Sequence, residues 1–371
     1  MKKALQYMPT SGYPDLVSKL KEFQKKIHNP VPEVWQNSDL VVTTGSQEGL
    51  SKAFEMIFNI GDSIIVEDFV YTGVLAALGP YKLNYVLIEG DGRGMRSDLL
   101  RRKLQSLRKS EIPKAMYINP TGANPTGTIL SSDRRKEILE ICSEFNVLIL
   151  EDDPYYFLQF DDQTEDRVSS LFSLDREGRV IRFDSFSKIL SSGLRVGFAT
   201  GPKPLIERMM LHMQVSTMHT SGLSQVLLDN LLEEWGTEGL LKHIAFIEQF
   251  YRKRRDALNA AAENHLKGLC TWHVPGNETR LKYCFIVTFD TILLTAGGMF
   301  LWLKTDGIAD TWDLIMEKAM KRNIMLVPGR AFTPFPNEPC PYLRAAFSAI
   351  DVDKMDQACQ KLAELIKEET L

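Results

Sequence analysis

"DSFSKILSSGLRVGF" occupies residues 184–198 and follows "RVIRF" at 179–183. RVIRF reads as a short buried strand, which places Lys188 at the mouth of a core strand. Ser185 and Ser187 precede the lysine, and Ser191 and Ser192 follow it. Arg195 stands seven residues further on, ahead of the apolar run "VGFAT". A lysine taken alone is ordinarily a solvated surface group. Small hydroxyls and a planar guanidinium around it instead suit a bound anion, phosphate above all.

Outward from that stretch, short apolar runs alternate with helical patterns from about residue 40 to 200. "LVVTT" (40–44), "SIIVED" (63–68), "NYVLIE" (84–89), "KAMYIN" (114–119), "VLILED" (147–152), "RVIRFDS" (179–185) and "RVGFATG" (195–201) read as strands. Helices are expected after Gly45-Ser46-Gln47, from about Tyr71, over 97–107 with Ser97 as cap, and over 131–145. Such alternation predicts an α/β fold, a mostly parallel sheet flanked by helices. Beyond residue 203, long helices over 203–233 and 238–266 precede a smaller α+β pattern. It has strands at 298–304 and 343–348 and a terminal helix over 355–369.

In an open α/β sheet, ligands gather at the carboxyl ends of the strands. "TGSQEG" (44–49) turns a strand into a helix whose amides can bind phosphate; many such turns bind nothing. "NPTGANPTG" (119–127) is a rigid turn-rich loop that fixes Asn124 between prolines and glycines. "LILEDDPYYF" (148–157) ends an apolar strand in Glu151, Asp152 and Asp153. Carboxylates there need a cationic partner, or else Asp152 or Asp153 caps a helix. "PYLRAAFS" (341–348) sets Arg344 in an apolar strand, where it needs an internal carboxylate or a substrate's. A lysine beside a bound phosphate, with a carboxylate for a pyridinium nitrogen, points to pyridoxal phosphate.

Composition bounds the alternatives. The 371 residues are 44% hydrophobic and 25% charged, enough for a large core, and the net charge of -4 gives no reason to expect nucleic acid. "RKRR" (252–255) is read as a solvated helix face. Five cysteines, at 142, 270, 284, 340 and 359, form no C-x-x-C pair and favour a reducing compartment. Six histidines show no metal-ligand spacing, and no metal is expected. The opening "MKKALQYMPTSGYPDL" has no apolar h-region, and the apolar run at 283–295 is too short to span a membrane. "NET" (277–279) fits the glycosylation pattern but carries little without a secretory signal.

The order is N-P-T-G, then an aspartate with tyrosine three on, S-x-S-K, an arginine seven on, and a late strand arginine. In that order the chain resembles the fold-type I, class I/II aminotransferases over nearly its whole length. The resemblance implies transfer of an amino group between an amino acid, such as 2-aminoadipate or kynurenine, and a 2-oxo acid such as 2-oxoglutarate. It implies a Schiff base on Lys188, which would also move the substrate's proton, with Asp152 on the ring nitrogen. Asn124 and Tyr155 would contact the ring oxygen, and Tyr71 would stack on the ring. Ser46, Gln47, Ser185, Ser187 and Arg195 would hold the phosphate. Tyr7, Tyr71, Asn124 and Arg344 would face substrate, with Tyr7 also reaching the phosphate of a second subunit in a homodimer. It implies an N-terminal dimer-contact segment over 1–30, a large cofactor-binding domain over 31–260 and a small domain over 261–371. The location implied is the mitochondrial matrix, or the cytoplasm should a targeting segment be lost.

Two departures set up a competing expectation. Family chains begin several dozen residues earlier, and about twenty residues, 276–295, stand where the family has one or two. An alternative transcript or gene model would account for both. The competing reading is therefore a catalytically impaired isoform that keeps the fold and part of the cofactor site. A third, the effector-binding domain of a transcription regulator with this fold, is disfavoured by the lack of a basic patch or an N-terminal helix-turn-helix.

Overall fold

Residues 40–42 and 64–66 are apolar, rich in β-branched side chains and almost wholly buried, as strands covered on both faces must be. The computed structural model describes residues 2–160, 167–272 and 297–370. The extra segment at 276–295, the Asn277 sequon and Cys284 lie outside the described residues. Seven strands form the large sheet: β1 (Ser38–Thr43), β2 (Ser63–Glu67), β3 (Asn84–Ile88), β6 (Ala115–Ile118), β7 (Leu148–Asp152), β8 (Val180–Ser185) and β9 (Gly197–Pro202). A two-stranded ribbon, β4 (Gly90–Asp91) with β5 (Gly94–Met95), sits between β3 and β6 in the chain. The sheet order is β1-β9-β8-β7-β6-β2-β3. Only β9 runs antiparallel to its neighbours. Its start, next to Arg195, therefore lies at the same sheet edge as the carboxyl ends of the others.

Among the helices, three expectations change. Ser97 is the first helical residue and donates to the Glu137 carboxylate; the extended cap position belongs to Arg96. The helix expected over 203–233 is two, Lys203–Val215 and Gly222–Leu266, because Met218 adopts φ 64 and the Ser221 hydroxyl caps a fresh start. The second runs on through Leu266 with a single non-helical residue, Gly236, at φ 59. Its later half packs into the core of the small sheet, through Leu258, Ala262 and Leu266. RKRR is not a solvated face. Arg255 is buried over the Phe160 ring, and Arg254 donates to the Ile350 carbonyl. Both arginines tie this helix to its surroundings through stem and head alike.

The small sheet is antiparallel, in the order β10 (Cys270–Trp272), β11 (Phe300–Thr305), β13 (Tyr342–Ala346), β12 (Val327–Pro328). The helix Val352–Thr370 covers it with Cys359, Leu362 and Ile366. Backbone bonds join it to the loops of the large sheet: Gly298 N to Leu158 O at 2.9 Å, and Val70 N to Phe332 O at 2.7 Å.

A charge network lies inside the large sheet. The Arg182 guanidinium is fully buried and meets Asp153 at 3.1 Å, Glu151 at 3.3 Å and Asp184 at 2.9 Å. Arg135, also fully buried, lies 3.8 Å from Glu151. Glu151 further accepts the amides of Leu171 and Phe172 at 2.7 and 3.0 Å, which caps the short helix Leu171–Leu174. Removing one member of such a network strands its partners. Arg182→Met is expected to cost about 3–5 kcal/mol in urea unfolding of the cofactor-free chain; a loss within experimental error would show that the network does not hold the sheet.

Candidate active site

The turn from β1 into the helix Ser46–Ile57 depends on Gly45, whose φ is 75 and whose Cβ, if present, would sit 2.5 Å from Arg195 Nη2. Gly197 allows the facing approach: a Cβ there would lie 2.8 Å from Ser46 N. Arg195 itself is left-handed, with φ 51. Its Nη1 donates to Ser187 Oγ and to the Ser192 carbonyl, each at 3.2 Å, and its Nη2 to the Thr44 carbonyl at 3.4 Å. The Ser185 hydroxyl accepts from Ser187 N at 3.2 Å. An exposed guanidinium, two hydroxyls and a helix N-terminus thus converge, a cradle suited to a phosphate. Gln47 starts the same helix, but its amide donates to the Gly73 carbonyl at 2.8 Å and so ties down the turn that carries Tyr71.

Asp152, at the end of β7, is the centre of the cluster. Tyr117 donates to its Oδ2 at 2.8 Å, while Oδ1 is buried without a partner. Burial pushes this carboxyl up to about 7; Asp153 and Asp184 add to the shift, and Tyr117 and Arg182 oppose it. A cation with one N–H aimed at Oδ1 would satisfy the orphan and restore the ionised form. Neither Asp152 nor Asp153 caps a helix, since residues 154–157 form a turn. The three acids divide: Glu151 and Asp153 are ion-paired with Arg182, whereas Asp152 has no ion pair among the described residues; Oδ1 of each aspartate is left without a partner.

The turn-rich loop is pinned to the same residue. Asn119 Nδ2 donates to the Asp152 carbonyl at 2.6 Å, and Asn124 N donates to Asn119 Oδ1 at 2.7 Å. Asn124, which precedes a cis proline, then accepts from Arg344 Nη1 at 2.7 Å. Arg344 lies over the rings of Phe300 and Phe332, at 4.4 and 5.0 Å, and has no ion pair among the described residues. The internal carboxylate considered above is absent there, and Nε is buried without an acceptor. An incoming carboxylate would complete this arginine.

Lys188 Nζ stands 5.8 Å from the centre of the Tyr155 ring. Burial lowers its pKa, Arg344 and Arg195 lower it further, and Asp152 works against them. More of the nucleophilic free amine is therefore present than on a surface lysine. Tyr155 is buried, and burial, reinforced by Asp152, holds its phenol protonated. Burial raises Tyr71 as well, again with Asp152 adding to it. Tyr7 is not part of this cluster: it is 82% exposed and lies edge-on to His219 at 6.1 Å. Sequence reasoning missed Tyr117, Asn119 as an anchor, and Arg182. Tyr117 was visible only as the one hydroxyl in an otherwise apolar strand. Among the described residues there is no metal-binding cluster, and no helix is long and apolar enough to cross a membrane.

The open carboxylate oxygen, the phosphate cradle and the depressed lysine fit pyridoxal phosphate, and they define a transferase of the aminotransferase type. Comparison with known proteins agrees. Residues 1–362 match the family model described as aminotransferase class I and II. The chain is 47% identical to the kynurenine/alpha-aminoadipate aminotransferase, mitochondrial, of Bos taurus, over 99% of this chain and 84% of that protein. The Mus musculus protein of the same name is 44% identical over 99% of this chain and 84% of that one. A crystal structure of Pyrococcus horikoshii kynurenine aminotransferase with PMP superposes with a TM-score of 0.87 at 32% identity, covering 100% of this chain and 84% of that one. This chain belongs to the class I and II aminotransferases, and its cofactor is pyridoxal phosphate. The impaired-isoform reading finds no support in these comparisons.

Tyr117→Phe removes the donor to Asp152 Oδ2. A hydrogen bond to a charged group contributes about 1.5–3 kcal/mol. Retention of pyridoxal phosphate in equilibrium dialysis is expected to fall roughly tenfold or more; unchanged retention would mean that Asp152 is held without Tyr117.

Proposed function

We propose that the chain transfers amino groups between 2-aminoadipate or kynurenine and a 2-oxo acid such as 2-oxoglutarate. The observation that carries this reading is the juxtaposition of an unpartnered, buried Asp152 oxygen with Lys188 and with an Arg344 that lacks a carboxylate. Mammalian relatives named for both substrates support the substrate class. When bound, pyridoxal phosphate supplies an electron sink beside the substrate's Cα. Asp152 would keep the ring nitrogen protonated, and Asn124 and Tyr155 would serve the ring oxygen. Tyr71 would face the ring, and Ser46, Gln47, Ser185, Ser187 and Arg195 would hold the phosphate. Lys188 would hold the cofactor and move the Cα proton as general base. Arg344 grips the substrate carboxylate with a bidentate fork, beside Asn124.

The reading includes a homodimer, with Tyr7 of one subunit at the phosphate of the other. Leu5, Tyr7, Val215, Met218, Leu223 and Leu227 are each half or more exposed and support an apolar interface. The domain limits are read as a contact segment over 1–30, a large domain over 31–260 and a small one over 261–371. The mitochondrial names of the relatives support a matrix location.

Borohydride reduction followed by peptide mass analysis tests the lysine. Pyridoxyl label is expected on Lys188 alone and is expected to vanish in Lys188→Ala; label on another lysine would overturn the assignment. Arg344→Lys is expected to raise KM for both 2-aminoadipate and kynurenine at least tenfold, because an ammonium cannot replace the fork. A loss confined to one of them would instead place Arg344 at the side-chain end of the pocket, and absence of turnover with either in the parent chain would remove the substrate proposal. For the dimer, sedimentation of the Leu223→Asp, Leu227→Asp chain is expected to show monomer where the parent shows dimer; an unchanged dimer would place the interface elsewhere.

A further inference from the structure

A cavity of about 510 Å³ lies between the loop that leaves β2 and the small sheet. Its lining includes none of Asp152, Lys188 or Arg344, although Trp302 pairs with Arg344 in register, so it adjoins the cofactor site without sharing those groups. One wall carries Glu67, Asp68 and Phe69; the other carries Trp302, Lys304 and Tyr342. Trp302 and Lys304 share a face of β11, and Tyr342 pairs with Lys304 in register, so these three side chains line up by strand alternation. Trp302 and Tyr342 are stacked, 5.3 Å apart and 6° from parallel. Phe69 meets both edge-on at 5.0 Å.

Glu67 and Asp68 accept the backbone amides of Met95 and Gly90 respectively. Neither Glu67 nor Asp68 is ion-paired among the described residues, whereas Asp91 at the rim is already held by Arg134 at 2.6 Å. Burial, with Asp68 adding to it, pushes Glu67 up to about 8, and the Met95 amide and Arg134 oppose the shift. Opposite, Lys304 makes no ion pair among the described residues, and its ammonium lies 6.0 Å from the Tyr342 ring centre. The Trp302 indole, 6% exposed, has its N–H buried without an acceptor. Two carboxyls, an ammonium and an N–H donor thus line one cavity together with an aromatic cluster. We propose that this cavity binds a free amino acid with an apolar side chain as a zwitterion, its ammonium toward Glu67 and Asp68 and its carboxylate toward Lys304 and Trp302. Apolar walls with a few convergent polar groups are the ordinary make-up of a small-molecule site. Phe69 lies two residues before Tyr71, so occupancy bears on the loop that carries a ring of the active site.

The test is equilibrium dialysis of the full holo chain carrying Arg344→Met with labelled α-methyl-L-phenylalanine, which has no Cα hydrogen to lose. One equivalent per chain is expected to bind with a change in tryptophan fluorescence and no change in the visible cofactor band. Adding Asp68→Asn or Lys304→Met is expected to weaken that binding at least tenfold, with melting temperatures unchanged. Phenethylamine and 3-phenylpropionate, each lacking one of the two charges, are expected to bind at least tenfold more weakly. No binding in the Arg344→Met chain, binding indifferent to both added substitutions, or equal binding of either one-charge analogue would overturn the proposal. The readout does not depend on which amino acid the enzyme transaminates, so its failure leaves the substrate reading untouched.

Discussion

Arg182 sits fully buried in the middle of the large sheet, with Glu151, Asp153 and Asp184 around it. Arg135 is the second buried cation of this region. With Asp152 added, four buried carboxyls face two buried guanidiniums. In a medium of low polarity that excess is costly. It is relieved where the chemistry needs it: Asp152 and Asp153 are pushed up to about 7 and about 6, and Asp152 keeps one oxygen open. The cluster thus holds more carboxyls than guanidiniums, and a protonated ring nitrogen against Asp152, as proposed above, would lessen the excess. Everything nearby serves to keep that carboxyl in place, from Tyr117 on the neighbouring strand to Asn119 on its backbone carbonyl.

A second constraint joins the two sheets. The loop bearing Asn124 touches the entry to β11 backbone to backbone; a Cβ on Gly298 would lie 2.6 Å from the Gly122 carbonyl oxygen. Only glycine fits so close an approach. Asn124 is thereby brought to Arg344, and one hydrogen bond ties a residue of the large sheet's edge to one of the small sheet. The lysine answers to the same field. Arg344 and Arg195 depress it, Asp152 raises it, and burial settles the balance toward the free amine. Lys188, Asp152 and Arg344 are therefore electrostatically coupled, although they arise from separate stretches of chain.

Much of this was legible in the order of residues. Short β-branched runs alternating with amphipathic helices fix a parallel sheet, because strand burial and helix periodicity are local patterns. The hydroxyls around Lys188, the rigid loop at Asn124 and the acids ending β7 are likewise local, and each fell at a strand end where ligands collect. The tertiary structure alone decided which acids pair with Arg182 and which does not, since Glu151, Asp152 and Asp153 are adjacent in sequence and differ in what packs against each. It alone made β9 antiparallel, split the expected helix after Val215, buried Arg255 and set Tyr117 on Asp152. Those outcomes depend on strand register and on contacts between residues tens to hundreds of positions apart. A local pattern states which face of an element is apolar; it does not state which partner that face will meet.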